Sequence, residues 1–116
     1  MKTLILLLTL SCAAMAKDWT DNQIVDAIYK AEGKDKAQYL YGIRSVKYKD
    51  AADASRICLK TVQNNRKRFK KQTEYKDYLD FLASRYAPTK GKLSRAEKRV
   101  NGHWKRNVLY FLRKNQ

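Results

Sequence analysis

From Trp19 to Leu112 the apolar residues return at steps of three and four, the repeat that lines one face of an α-helix, and this period limits the fold more than any other feature. Ile24, Val25, Ile28 and Ala31 form the first such stripe, and Cys58, Val62, Asn65 and Phe69 a second. Tyr75, Tyr78, Leu79, Leu82 and Tyr86 make a third, and Trp104, Val108, Phe111 and Leu112 a fourth. The expected fold is all-α: four or five helices around one core, in one domain over residues 17–116.

Local signals set the expected limits. Thr20 and Gln23 have capping-box spacing, and Trp19 and Ile24 hold the two positions of a hydrophobic staple, so the first helix is expected at 21–32 with Gly33 as its stop. A second helix is expected from about Ala52 to Lys71 and a third from about Glu74 to Tyr86, where Pro88 prevents continuation. A short helical turn is expected near Ser94–Arg99, before the last helix. Between the first two helices, Tyr39-Leu40-Tyr41-Gly42-Ile43 carries no helical period, and alternation runs on through Val46 and Tyr48. That stretch is an irregular loop or a short β-hairpin.

The chain opens with Lys2, the apolar run Leu4–Leu10 and Ala14-Met15-Ala16, the pattern of a cleavable signal peptide over residues 1–16. The apolar run falls short of the roughly 20 residues that span a bilayer. Acylation at Cys12 is the minor alternative, since threonine stands at position 9 where such signals favour leucine. The expected location is therefore outside the cytoplasm, periplasmic or extracellular. Without the leader, Cys58 is the one remaining cysteine and closes no internal disulfide; it is either a small buried hydrophobe or a link between chains.

The net charge is +15, and loss of Lys2 with the leader makes it +14. Such a chain is drawn to anionic polymers or surfaces. Peptidoglycan or another anionic polymer is the expected partner, with nucleic acid ranked below it because of export, no stable membrane insertion, and a monomeric state. The basic side of the second helix, Lys60, Arg66, Lys67, Arg68, Lys70 and Lys71, reads mainly as a solvated face. With His103 the only histidine, no cluster has zinc spacing; no Gly-x-Ser-x-Gly and no phosphate-cradling glycine loop occur. No metal and no cofactor are expected.

One carboxylate is oddly placed. On a helix wheel Glu32 falls about 20° from Val25 and about 40° from Ile28, on the apolar side and away from Asp26 and Lys30. Partial burial there disfavours the charged form and lets a carboxyl hold a proton near neutral pH, as a general acid must. A second carboxylate at glycosidase spacing does not stand out, Asp35 and Asp50 being only loosely placed.

Ala31-Glu32-Gly33 at a helix end, followed by Tyr41-Gly42-Ile43, resembles the catalytic region of the lysozyme-like superfamily, which includes soluble lytic transglycosylases. Phe81–Pro88, followed by Asn101, Trp104, Asn107 and Val108, looks like the end of some transglycosylase-like domains of bacteria and phages. Gly33 departs from the serine common after the glutamate, and Arg44-Ser45 from the Met-Gln or Leu-Gln that usually follows the turn. The resemblance implies cleavage of the bond between N-acetylmuramic acid and N-acetylglucosamine, with Glu32 as a single acid and then base. In a lytic transglycosylase the substrate's own acetamido group assists and an anhydro sugar results. It also implies that Tyr39, Tyr41 and Tyr86 offer flat faces to sugar rings, Gly42 and Ile43 line the cleft, and Asn101 and Asn107 meet acetamido groups. Trp104, on an apolar stripe, is expected in the core.

Overall fold

The computed structural model describes residues 18–114. The leader assigned to residues 1–16 lies outside them. Five α-helices are present among the described residues: α1 (Asp21–Ala31), α2 (Ala51–Phe69), α3 (Tyr78–Tyr86), α4 (Arg95–Gly102) and α5 (Trp104–Lys114). Helix α1 packs against both α2 and α5, and α3 closes the core against the same two. None of the described helices is long and apolar enough to cross a membrane.

Helix α1 begins as its sequence dictates. Gln23 N donates to Thr20 Oγ1 at 3.1 Å, and Thr20 N donates to the Gln23 side chain at 2.9 Å, so two otherwise unpaired amides are satisfied. Trp19 and Ile24 are both buried. Gly33, with φ of 111°, leaves the helix in a left-handed conformation. Ile24 and Ile28 join Val62, Leu82 and Val108 as fully buried side chains; each contributes about 1.5–3 kcal/mol by leaving water.

The segment after α1 is irregular, with no strand among the described residues, so the hairpin alternative is discarded. Two 3₁₀ turns, Lys34–Lys36 and Leu40–Gly42, take its place. Tyr41 and Gly42 have φ of 57° and 69°, and two successive left-handed residues turn the chain back where alternation would have extended it. Leu40 N donates to the Tyr48 hydroxyl at 2.9 Å, pinning the turn.

Helix α2 is capped by Asp50, whose side chain accepts from Asp53 N at 2.8 Å, and buries Ala54, Cys58, Val62 and Asn65. Helix α3 starts later than its apolar period implied. Asp77 caps it by accepting from Asp80 N at 3.1 Å, so residues 74–77 stay outside. Tyr75 still packs edge-on against Phe81, 5.9 Å between centroids, without being helical. Helix α4 extends to Gly102, and a capping box between Ser94 and Glu97 opens it.

Arg66 departs from the solvated basic face. Its Nε donates to Asp21 Oδ1 at 2.7 Å and its Nη2 to Trp19 O at 2.9 Å, while the guanidinium lies 4.2 Å from the Tyr78 ring centroid. It is half-buried and clamps the start of α1 to α2 and α3. Lys60, Lys67, Arg68, Lys70 and Lys71 are exposed, as that face requires.

Candidate active site

Glu32 is the residue that caps the C-terminal end of α1. Its amide donates to Ile28 O at 2.9 Å, and its side chain is half-buried on the apolar side, while Asp26 and Lys30 pair at 2.9 Å on the outer side. Against it lies the Leu40–Gly42 turn. A Cβ on Gly42 would stand 2.5 Å from Glu32 Oε2 and 2.8 Å from Cδ, a space that only glycine leaves open.

Burial raises the pKa of Glu32 above the ordinary glutamate value. Trp104 acts in the opposite sense and favours the charged form, although its buried indole Nε1 lacks a hydrogen-bond partner of full geometry. The indole is core, as its stripe implied, and stacks on Tyr86 with centroids 5.2 Å apart.

A cleft of about 570 Å³ opens beside the carboxyl, lined among others by Glu32, Tyr39, Gly42, Tyr86 and Asn101. Five positions singled out in sequence therefore line one cleft. Comparison with protein-family models, curated proteins and solved structures finds no match. The site's meaning rests on its own geometry.

The other named residues fall elsewhere. Tyr41 turns to Tyr29, 5.1 Å between ring centroids, and offers only its carbonyl to the site, accepting a hydrogen bond from the Tyr86 hydroxyl. Ile43 is buried beneath the turn. Asn107 is exposed on α5 and is not among the residues lining the cleft. Asn101 itself donates from Nδ2 to Pro88 O at 2.7 Å, tying α4 to the segment after α3.

Tyr86 connects the cleft to the core. Its hydroxyl approaches Cys58 Sγ at 3.6 Å as well as donating to Tyr41 O, so the thiol is left to donate to the phenol. Burial pushes the Tyr86 pKa upward and the Cys58 thiol up to about 11. Cys58 is fully buried, which discards a link between chains through this residue in the folded protein.

A second carboxylate does stand on the cleft: Glu97. Its Oε1 accepts from Ser94 N at 3.0 Å, and that bond, the Ser94 hydroxyl and the charge of Arg44 lower its pKa. The cleft thus holds one carboxyl shifted toward its protonated form, at the end of α1, and one shifted toward its charged form, on α4. The Ser94 and Glu97 spacing was readable as a capping box; its position on the cleft depends on how α4 packs. The looser candidates are committed elsewhere, Asp35 to the Tyr29 hydroxyl and Asp50 to the cap of α2. Among the described residues no group of His, Cys, Asp and Glu side chains could hold a metal ion.

Proposed function

We propose that the chain is an exported peptidoglycan-cleaving enzyme, a lytic transglycosylase or a muramidase-like glycosidase, acting on the bond between N-acetylmuramic acid and N-acetylglucosamine. One observation carries this reading: a half-buried glutamate with a raised pKa, pressed against a glycine turn, on the wall of an open cleft. Glu32 donates its proton to the glycosidic oxygen as the bond breaks. As carboxylate it then takes a proton back, from the sugar hydroxyl that closes an anhydro ring or from water. Tyr39 and Tyr86 line the cleft that takes the glycan, and Gly42 leaves the room in which the Glu32 carboxyl is seated.

The test is release of soluble muropeptides from purified peptidoglycan, read by mass spectrometry beside Glu32→Gln. Release that falls about a hundred- to ten-thousand-fold in the variant is expected, with anhydro ends marking a transglycosylase and reducing ends a hydrolase. No release by folded, polymer-binding wild type would overturn the enzyme in favour of the second reading, a non-cleaving polyanion-binding protein. The net charge of +15 supports that alternative; the half-buried setting of Glu32 beside a cleft supports the enzyme.

A further inference from the structure

A smaller pocket of about 180 Å³ adjoins the cleft and shares Gly42, Arg44 and Tyr86 with it as lining. Its walls include Arg44 and Arg85, with Ser45, Thr61 and Asn65, and no acidic side chain.

Both guanidiniums are exposed. Arg85 has no ion-pair or hydrogen-bond partner among the described residues. Arg44 sits with its guanidinium 5.3 Å from the Tyr39 ring centroid, and its charge acts on Glu97 in the adjoining cleft. The contrast with Arg66 is informative. That arginine is consumed by Asp21 and Trp19, whereas Arg44 and Arg85 line the pocket without a hydrogen bond to a side chain or backbone group among the described residues. Asn65 and Thr61 are already engaged: Asn65 Nδ2 donates to Thr61 O at 3.0 Å, its Oδ1 accepts from Arg68, and Thr61 Oγ1 donates to Ile57 O at 3.0 Å. An incoming ligand therefore meets two cations as the free hydrogen-bonding charges.

We propose that this pocket is a carboxylate subsite, in which Arg44 and Arg85 hold an acidic group carried by the glycan strand lying across Glu32. Guanidinium donors match the two oxygens of a carboxylate, and bonds of this charged kind are the stronger ones. The arginine that follows the Tyr41-Gly42-Ile43 turn thus acquires a role: it reads the charge of the substrate one step from the bond that breaks. The inference rests on the proposed function for the identity of the strand, not for the presence of the pocket.

Three probes test it, with affinity measured by titration on the folded Glu32→Gln chain so that nothing is cleaved. One is a peptide-free tetrasaccharide of alternating N-acetylglucosamine and N-acetylmuramic acid, with free lactyl carboxylates. A second is a muropeptide whose lactyl carboxyl is amidated and whose carboxylates lie on the peptide. The third is the neutral N-acetylglucosamine tetramer. Binding of one acidic probe about ten-fold tighter than the neutral one is expected, with the preference lost in Arg44→Gln/Arg85→Gln and kept in Arg113→Gln/Lys114→Gln, which removes two charges at the far end of α5. Which acidic probe wins says whether the carboxylate belongs to sugar or peptide. Equal affinity for all three, no binding of any, or a preference that survives the double arginine change would overturn the subsite. Cleavage by wild type without the preference leaves the enzyme reading standing, and the preference without cleavage leaves the subsite standing alone.

Discussion

Glu32 Oε2 occupies the place where a side chain on residue 42 would begin, 2.5 Å from a Cβ built on Gly42. Gly42→Ala therefore meets two penalties. A left-handed φ of 69° costs an alanine about 1–2 kcal/mol, and the methyl group must drive the carboxyl out of its seat. Thermal unfolding should show a modest loss of stability, and muropeptide release should fall at least about ten-fold, the larger effect being on turnover. Unchanged turnover would show that the acid tolerates displacement.

The raised pKa of Glu32 makes stability depend on pH with a definite sign. The folded chain holds this proton more tightly than the unfolded chain does, so the stabilisation is complete below the ordinary glutamate value and is lost as pH rises through the raised one. Glu32→Gln has no proton to lose there. Melting temperatures of wild type and variant should converge in acid and separate as pH rises, with the variant more stable. Parallel curves would mean that the carboxyl is not desolvated.

Arg66→Ala removes two charge-assisted hydrogen bonds and a cation–π contact from one half-buried group. The expected cost is about 2 kcal/mol, seen as a drop of roughly 10 °C in Tm. Polymer affinity should change little, since this cation faces its own protein.

Lys67, Arg68 and Lys71 project from the end of α2 into solvent. Neutralising all three should weaken binding to purified cell wall several-fold at low salt, and the difference should vanish near 1 M salt, where charges are screened within about 3 Å. A deficit that persists at high salt would point to lost packing instead.

Tyr86→Phe deletes the hydroxyl that serves Tyr41 O and Cys58 Sγ together. About 1–2 kcal/mol should be lost on unfolding by denaturant. The turn bearing Gly42 then keeps its Leu40 N to Tyr48 hydroxyl bond but loses the one at Tyr41 O, and amide exchange at Tyr41–Ile43 should quicken.

The helices were legible because their stripes and caps are local: Thr20 with Gln23 predicts α1, and Cys58, Val62 and Asn65 mark the buried side of α2. The start of α3 was not, since Tyr75 satisfies the apolar period while a cap at Asp77 fixes where the helix begins. Glu32 was legible from its angle on the wheel, a property of one helix. Glu97 and Arg85 were not, because what places each on the cleft or its adjoining pocket is the meeting of segments distant in sequence. Arg66 misled for the same reason. Its helix placed it among lysines, and its partners Asp21 and Trp19 lie 45 and 47 residues away in sequence.

The enclosed thiol of Cys58, held protonated with a pKa of about 11, turns the protein into its own gauge of breathing. Thiolate is the form that alkylating reagents attack, and here it is both scarce and walled in. Labelling must wait until α2 parts from its neighbours, so the rate of alkylation in excess reagent counts core openings one by one.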